Sequence, residues 1–584
     1  MIKTLKVLNK KDLGVILLCI TLIVCQVWLD LKLPDYMSGI TSLIQTGNNN
    51  ISEYLTQGMY MLLCSLGSLL TSILVGFFAS ILSASVSLKL RSKVFNKIES
   101  FGMEEMKKFS VSSLITRTTN DITHIEMLIS MGLQMLIKAP IMAVWAITKI
   151  INKSLQWSAL VGVGIVILMI TISILMIIVL PRFSKVQKLI DKINGVTSEN
   201  LSGIRVIRAF NAEKYQQDRF DSVNDELTGI QMFNQKAFAT LNPIMNLVNH
   251  ALTLGIYLMG AFLIVEANMT DKITLFSNMI VFSSYGMQVI MAFLMLALIF
   301  MLLPRAQISA KRINEVCDEE VKVLDGSYDK DTKEKGTIEF RNVSFRYPDA
   351  EENILENISF KVKRGETVAF IGSTGSGKST LINLVPRFYD VTSGKVLVDG
   401  IDVKDYKQET LHNKIGYVPQ KAVMFTGSVS YNVSYGDNEK ISDDSIKKAV
   451  EVAQAKEFVE KMDGMYDAHM ARGGTNVSGG QKQRLSIARA IARNPEIYIF
   501  DDSFSALDYK TDATLRDELK KYTKNATNLI VAQRIGTIIN ADKIIVLDKG
   551  KCVGIGTHKE LLSSCDVYKE IALSQLSEEE LKNA

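Results

Sequence analysis

The stretch Gly372–Thr380 reads GSTGSGKST and decides the fold of the C-terminal half of the chain. It fits the pattern G-x-x-x-x-G-K-S, it follows the apolar run Thr367–Ile371, and a helical stretch begins at Lys378. A strand, a glycine-rich loop and a helix N-terminus together form a cradle of backbone N–H groups for phosphate. In such a cradle Lys378 reaches the β and γ phosphates and the Ser379 hydroxyl binds Mg²⁺. The motif therefore predicts a P-loop nucleotide site.

Two further motifs lie downstream of this loop. The apolar run Ile497–Phe500 ends in Asp501, which is the pattern of a buried strand that delivers a carboxylate to nucleotide-bound Mg²⁺. About twenty residues earlier in the chain, Val477 is followed by the sequence SGGQ, which occupies Ser478–Gln481. A serine and two glycines at the start of a helix leave N–H groups free to bind a γ-phosphate.

The order of these motifs resembles the ATP-binding cassette of ABC transporters. The resemblance implies that Tyr347, in FRYP, stacks on adenine, that Gln420, in VPQ, links Mg²⁺ to the membrane domain, and that Asp508, in SALD, is the D-loop aspartate. It implies that Ser478, Gly479, Gly480 and Gln481 contact ATP held by a partner cassette. ATP and Mg²⁺ are the expected cofactors, with Ser379, Gln420 and Asp501 at the metal. The expected ATP contacts are Tyr347, Gly372, Ser373, Thr374, Gly375, Ser376, Gly377, Lys378, Ser379, Thr380 and Gln420.

The N-terminal half has a different composition. The chain of 584 residues is 47% hydrophobic and only 22% charged, and its mean hydropathy of +0.16 is high for a soluble protein of this length. The apolar residues concentrate before residue 305. Since a spanning helix needs about 20 apolar residues, the sequence predicts six spans, at residues 13–33, 57–82, 126–150, 157–181, 241–266 and 273–303.

Lys and Arg cluster at the N-terminus, after the second span, after the fourth and after the sixth, whereas the loop 34–56 has neither. The positive-inside rule then predicts a multi-pass plasma membrane protein with both termini in the cytoplasm. Lys149 and Lys153, near the outer end of the third span, mildly oppose this orientation. The net charge of +5 is explained by this topology, so no nucleic-acid partner is expected.

The resulting fold class is an all-α six-span transmembrane domain of the type 1 ABC exporter kind, followed by an α/β P-loop ATP-binding cassette domain. Its predicted boundaries are a transmembrane domain at 1–321, a linker at 322–336 and a nucleotide-binding domain at 337–584. The inner connections 83–125 and 182–240 are predicted to be helical rods joined by tight turns. Within the second of them, Asn200–Glu213 resembles the second coupling segment of ABC exporters.

Two residues depart from the family pattern. Asp502 stands where the family places the glutamate that polarises the attacking water, and Gln533 stands where it places a histidine. The carboxylate of an aspartate reaches about 1.5 Å less far from the backbone than that of a glutamate. A glutamine, unlike a histidine, cannot take up or deliver a proton. Both catalytic positions are therefore degenerate. The pattern resembles one half of heterodimeric bacterial multidrug exporters, with a partner half-transporter that supplies the missing Glu and His.

The expected function is ATP-driven export of hydrophobic or amphipathic compounds, of the multidrug type, with this chain's own Walker site hydrolysing ATP weakly or not at all. The open alternatives are a lipid or peptide exporter of the same build, or a non-transporting ATP-gated membrane regulator. Membrane lipid and small hydrophobic substrates are the other expected partners. The fifth span has a polar face made of Asn242, Asn246, Asn249 and His250, with Thr253. These side chains either line the substrate path or form hydrogen bonds to neighbouring helices. Lys138, in the third span, either faces substrate or snorkels to the inner interface.

Overall fold

The computed structural model describes residues 2–46, 50–151, 155–436 and 440–576. Lys153 lies outside these residues. The chain forms two compact units, and the division does not follow chain order strictly. The first unit comprises residues 1–99 and 110–319, and the second comprises 100–109 and 320–584. A ten-residue segment from the N-terminal half, Ser100–Phe109, thus belongs to the unit that carries the P-loop.

Every regular element among the described residues of the N-terminal half is a helix. Six helical segments among the described residues are long and apolar enough to cross a membrane, and two of these segments each consist of two consecutive helices. The predicted fold class is therefore confirmed for this half. The inner connections are helical as expected, but short helices rather than tight turns join the rods at residues 103–108 and 204–209. The helices are α1 Ile2–Leu5, α2 Lys10–Gln45, α3 Ile51–Glu99, α4 Met103–Lys108, α5 Val111–Thr118, α6 Asn120–Ile151, α7 Leu155–Ser202, α8 Ile204–Ala209, α9 Glu213–Ala239, α10 Leu241–Glu266 and α11 Met269–Asp318.

Ion pairs join two of the long helices within the first unit. Lys138 of α6 lies 3.2 Å from Asp30 of α2, and Lys149 of α6 lies 2.7 Å from Asp35 of α2. Tyr285 of α11 also donates a hydrogen bond of 2.9 Å to Asp35. Lys138 therefore has an acidic partner on another helix, which neither sequence-based interpretation of this residue included. The pair of Lys149 with Asp35 also neutralises one of the two charges that opposed the predicted orientation.

Within the described residues, the second unit contains two larger sheets and a small two-stranded antiparallel sheet, β7 with β8. Strands β1, β2, β4 and β5 form an antiparallel sheet in the order β2-β1-β4-β5. The other sheet has the order β12-β11-β3-β10-β9-β6, in which only β12 is antiparallel to its neighbour. The strands are β1 Ile338–Phe345, β2 Leu355–Val362, β3 Thr367–Gly372, β4 Ser393–Val398, β5 Ile401–Asp402, β6 Ile415–Val418, β7 Gly427–Ser428, β8 His469–Met470, β9 Ile497–Asp501, β10 Thr527–Val531, β11 Lys543–Asp548 and β12 Lys551–Gly556.

Helices surround the parallel sheet, which confirms the α/β class predicted for the C-terminal half. Two of them matter for the site: the one that begins after the P-loop and the one that begins at the SGGQ sequence. The helices are α12 Lys378–Asn383, α13 Gln408–Asn413, α14 Val429–Val433, α15 Asp443–Val452, α16 Lys456–Glu460, α17 Gly479–Ala492, α18 Tyr509–Tyr522, α19 Ile535–Ile538, α20 His558–Ser564 and α21 Asp566–Leu573, with 3₁₀ turns at Met465–Asp467 and Arg472–Gly474.

The register of the central strands brings the motifs together. Strands β3, β10 and β9 are parallel neighbours, with Val531 of β10 opposite both Phe370 of β3 and Asp501 of β9. Their carboxyl ends therefore lie side by side, and in open α/β sheets this edge is where ligands bind. The residues that follow these three strands are the P-loop, the carboxylate pair Asp501–Asp502 and the loop that carries Gln533.

Candidate functional site

The P-loop has the conformation expected of a phosphate cradle. Gly375 and Gly377 have φ angles of 85° and 96°, which side-chain-bearing residues rarely adopt. A Cβ on Gly377 would also lie 2.7 Å from the Leu355 side chain, so the loop requires glycine there. The ammonium of Lys378 curls back onto the loop, where it donates to the carbonyls of Gly372 at 2.9 Å and Ser373 at 2.8 Å. Burial lowers the pKa of Lys378 from its ordinary value.

Oxygen ligands suited to Mg²⁺ meet at the start of α12. Ser379 donates a hydrogen bond of 2.8 Å to Oδ1 of Asp501, the last residue of β9. Asp501 is only 5% exposed, and burial raises the pKa of its carboxyl, against the Ser379 hydrogen bond, which lowers it. A hydroxyl beside a buried carboxylate is the kind of oxygen donor set that Mg²⁺ takes together with phosphate and water. These residues therefore fit the metal expected with the nucleotide.

The two departures from the family pattern are in direct contact. The amide of Gln533 donates to Oδ2 of Asp502 at 2.9 Å, and the amide of Gln420 donates to the same oxygen at 3.3 Å. Asp502 has a φ of 47° and is 8% exposed, and burial raises the pKa of its carboxyl. Its short side chain is thus held between two amides, neither of which acts as an acid or a base at neutral pH.

The predicted adenine-stacking tyrosine lies beside the P-loop helix. The Tyr347 hydroxyl is hydrogen-bonded to Oγ1 of Thr380 at 3.1 Å. Its ring makes edge contacts with Phe345 and Tyr389, at centroid separations of 4.9 and 5.3 Å. These contacts fix the plane of a partly exposed ring.

A cleft of about 230 Å³ lies among most of these groups, but Tyr347 and Asp501 are not part of its lining. The cleft brings together most of the predicted P-loop contacts with Gln420, Asp502 and Gln533. Gly372, Ser373 and Ser376 belong to the P-loop but do not line the cleft. Ile354 and Val531 also line the cleft, and no sequence motif pointed to them. The lining residues are Ile354, Thr374, Gly375, Gly377, Lys378, Ser379, Thr380, Gln420, Asp502, Val531 and Gln533.

Two family models match the chain. Residues 355–505 match the model described as ABC transporter, and residues 16–293 match the one described as ABC transporter transmembrane region. An uncharacterized ABC transporter ATP-binding protein of Mycobacterium tuberculosis is 38% identical over 88% of this chain and 86% of its own length. The chain belongs to the ABC transporter family.

Two further relatives and one solved structure are also similar to this chain over most of its length. The ABC transporter ATP-binding protein YfiB of Bacillus subtilis is 36% identical over 89% of this ABC transporter and 90% of its own length. The ATP-dependent lipid A-core flippase of Pseudomonas aeruginosa is 30% identical over 87% of this chain and 83% of its own. The solved structure of a bacterial Atm1-family ABC exporter with ATP bound has the same fold, with a TM-score of 0.83, 23% identity, and coverage of 98% of this chain and 100% of that one. The protein is thus an ATP-binding membrane transporter with exporter architecture.

The signature sequence of this ABC transporter begins helix α17. Ser478 is the N-cap residue, and its hydroxyl accepts from the backbone N–H of Gln481 at 3.3 Å while the Gln481 side chain accepts from the N–H of Ser478 at 2.8 Å. Ser478 and Gly479 are exposed and Gly480 is half-buried. The D-loop residue Asp508 similarly caps α18, where it accepts from the N–H of Thr511 at 3.0 Å. That bond lowers the pKa of the Asp508 carboxyl.

A residue near the end of the described chain holds the loop that carries Gln533. The amide of Gln575 donates to the carbonyl of Gln533 at 2.8 Å, and its Oε1 accepts from the N–H of Ile535 at 2.8 Å. No motif points to Gln575, since it follows α21 by only two residues and lies 40 and 42 positions from its two partners. Only the folded structure identifies it as part of the site's support.

The polar residues of α10 lie on the side of the helix that faces away from its packed stripe. Leu241, Met245 and Val248 are buried, whereas Asn242, Asn246 and His250 are exposed and Asn249 is half-buried. Within the described residues, these four side chains make no hydrogen bond to another helix, and the hydroxyl of Thr253 bonds to the carbonyl of Asn249 on its own helix. The face is therefore available to a group from outside this chain.

Proposed function

We propose that this chain is one half of a heterodimeric ABC exporter that moves hydrophobic or amphipathic compounds across the plasma membrane. Its own Walker side would form the degenerate ATP site, and its signature motif would complete the hydrolytic site of its partner. The hydrogen bond between Gln533 and Asp502 carries the proposal, because it joins the two substituted catalytic positions into one unit that cannot relay a proton.

The residues of the cleft support ATP binding without efficient hydrolysis. Lys378 and the N–H groups of the P-loop hold the phosphates, Tyr347 stacks on the base, and Ser379 with Asp501 holds Mg²⁺, which neutralises phosphate charge when bound. Polarising the attacking water requires a carboxylate in line with the γ-phosphate. The side chain of Asp502 is too short to place its carboxylate there, and two side-chain amides already donate hydrogen bonds to that carboxylate. ATP would therefore remain bound longer here than at the partner's site.

The signature segment supports the second half of the proposal. Ser478 and Gly479 are exposed at the start of a fourteen-residue helix, and the capping pair with Gln481 fixes the local backbone. A helix N-terminus with glycine N–H groups stabilises the γ-phosphate of a nucleotide presented to it. Since this segment is intact, the partner's Walker side with its Glu and His would complete a fully competent site.

The polar face of α10 is the proposed wall of the substrate path. Asparagines and a histidine on a spanning helix avoid lipid, and Asn242, Asn246 and His250 have no bond partner on the described helices of this chain. With the Lys-rich and Arg-rich segments inside, both termini would lie in the cytoplasm. The path would then run along α10 from the cytoplasmic side outward.

The test is to make matched variants of this chain in the complex with its partner half-transporter. We expect Ser478→Ala to lower the ATPase rate and ATP-driven flux of a hydrophobic dye in membrane vesicles by about 10²-fold, since electrostatic stabilisation of this kind is worth that much. We expect Asp502→Asn to change both rates less than threefold. The purified chain without a partner should hydrolyse ATP very slowly.

Equal losses in the two variants, or brisk turnover by the chain alone, would show that both sites hydrolyse ATP and would reject the degenerate assignment. ATP hydrolysis by the complex without ATP-driven flux of the dye would reject the multidrug substrate class and leave the ATPase asymmetry intact.

Lipid export is the second candidate, because relatives named ATP-dependent lipid A-core flippase align over most of the chain. A labelled lipid replaces the dye in the same vesicles to distinguish the two. ATP-dependent movement of the lipid with no dye flux would favour the flippase function.

A further inference from the structure

Lys107 places a positive charge on the aromatic ring proposed to receive adenine. Its ammonium nitrogen lies 4.2 Å from the centroid of Tyr347 and 5.5 Å from that of Tyr389. A cation within about 6 Å of a ring centroid is attracted by the negative face of the ring. No cassette motif points to Lys107, because it lies in the N-terminal half, far in sequence from the cassette.

The segment that carries Lys107 is held firmly on the nucleotide-binding unit. Glu105 is 2% exposed, and its carboxylate accepts the backbone N–H of Gly102 at 2.9 Å and that of Lys322 at 3.1 Å. An ion pair between Glu104 and Lys322 adds a second connection. The segment Ser100–Phe109 is also covalently joined to α3 on one side and α5 on the other, and both helices belong to the six-span unit.

The ring of Tyr347 has little freedom to present a different surface. Its hydroxyl is tied to Thr380, and Phe345 and Tyr389 contact it at nearly perpendicular angles of 83° and 87°. A stacked base needs a ring face of its own, and the ammonium of Lys107 stands on the face of this partly exposed ring.

We propose that Lys107 and the adenine base compete for the face of Tyr347, so that nucleotide binding displaces Lys107. The proposal rests on the proposed adenine-stacking role of Tyr347 and adds a regulatory step to it. Release of Lys107 removes a contact that holds Ser100–Phe109, and this segment transmits occupancy of the base site to α3 and α5. The triphosphate alone, which never reaches Tyr347, does not produce this release.

The experiment compares ATP with inorganic tripolyphosphate as ligands of the full-length chain in lipid nanodiscs, by equilibrium binding with Mg²⁺. We expect Lys107→Met to bind ATP about 2- to 10-fold more tightly, because an exposed cation–π contact of ordinary strength no longer opposes stacking. Tripolyphosphate affinity should stay the same, which also shows that the variant is folded. Lys107→Arg keeps a cation for the ring and should restore the lower ATP affinity.

Lys108→Met is the matched control, since it removes an equal charge from the next residue, whose ammonium lies over Phe109 instead. It should leave ATP affinity unchanged. In a Tyr347→Leu background the Lys107→Met change should have no effect on ATP affinity, because no ring remains to compete for.

An unchanged or weaker ATP affinity in Lys107→Met would overturn the competition, as would equal tightening of ATP and tripolyphosphate. Failure of the wild-type chain to bind ATP, or no loss of ATP affinity in Tyr347→Leu, would instead contradict the proposed nucleotide site itself. The two failures are thus distinguishable in one set of measurements.

Discussion

The side-chain amide of Gln533 donates a hydrogen bond of 2.9 Å to Oδ2 of Asp502. The two residues come from neighbouring strands of one parallel sheet, and each follows the carboxyl end of its strand. A substitution at one position therefore changes the surroundings of the other. The shorter carboxylate and the non-titrating amide form one local arrangement, rather than two independent losses.

Restoring both family residues should activate this chain's own ATP site. We expect Asp502→Glu combined with Gln533→His to raise its single-turnover ATP hydrolysis by about 10²-fold or more, because a carboxylate of the right reach and a proton-relaying imidazole are both regained. Because the two side chains are in contact, the single variants should together give less than the double variant. The readout is phosphate release from the complex whose other site is blocked.

The control is Asp502→Glu combined with Gln533→Asn, which changes the same two positions without adding a group that relays protons and should not reproduce the full activation. Additive effects of the two single changes would contradict a coupled pair. So would full activation by Asp502→Glu alone.

Binding of MgATP should release protons at pH values near the raised pKa of Asp501. Burial raises the pKa of Asp501 above its ordinary 3.8, whereas a carboxylate that holds Mg²⁺ must be ionised. As the pH falls toward the raised pKa of Asp501, the metal must displace a proton, and apparent MgATP affinity falls. The sign for stability is opposite: the protonated carboxyl is favoured in the folded state, so the nucleotide-free fold gains stability as the pH falls through this range.

Calorimetric titrations in two buffers of different ionisation enthalpy measure the proton count. Asp501→Asn is the control, and it should abolish the acid-side dependence along with most Mg²⁺ affinity. A proton count near zero throughout would mean that Asp501 is already ionised in the free site.

The motifs and the family resemblance predicted which groups would meet at one site, and the sheet explains why they do, because each lies at the end of a parallel strand and such ends converge. The adjacency of β3, β10 and β9 puts Lys378, Asp501 and Gln533 at one edge of the sheet. Contacts made through long-range packing could not be predicted in this way. Lys107 comes from a segment whose sequence is that of an ordinary amphipathic connection, and Gln575 is a lone polar residue after a short helix.

In the membrane half, too, the sequence predicted the helices but not the contacts between them. Length and apolarity predicted six spans, and the helices are where they were expected. The partner of a charged residue in a span depends on which faces of two helices meet, and periodicity alone does not determine this. The sequence therefore did not predict that Asp30 lies 3.2 Å from Lys138 on another helix.

The pair Asp30–Lys138 should stabilise the helix bundle in a way that depends on both partners. We expect Asp30→Asn or Lys138→Met to lower the unfolding free energy by about 1–3 kcal/mol, since each leaves a charge of low exposure without its partner. The double variant should be more stable than either single variant, because it leaves no uncompensated charge. Thermal melting of the detergent-solubilised chain checks the order.

The exposed pair Lys3–Asp318 provides a matched control, because its side chains are 66% and 55% exposed. Lys3→Met should shift the melting temperature little. A double variant of Asp30 and Lys138 that is less stable than both single variants would show that the pair does not act as a mutually neutralising unit.

Gln575 should set the local stability of the loop that carries Gln533. In Gln575→Ala both bonds to the loop are lost, so the N–H of Ile535, which donates to Oε1 of Gln575, becomes unprotected. A neutral hydrogen bond contributes about 1 kcal/mol, so we expect exchange of this amide hydrogen to become about fivefold faster.

Gln575→Glu keeps the acceptor for Ile535 but loses the donor to the carbonyl of Gln533, so protection of Ile535 should largely persist. Hydrogen exchange followed by mass spectrometry on the 533–538 segment distinguishes the two variants, with the β11 segment as internal reference. Equal exchange in wild type and Gln575→Ala would mean that the loop is held by its other contacts, and Gln575 would then have no role in positioning Gln533 against Asp502.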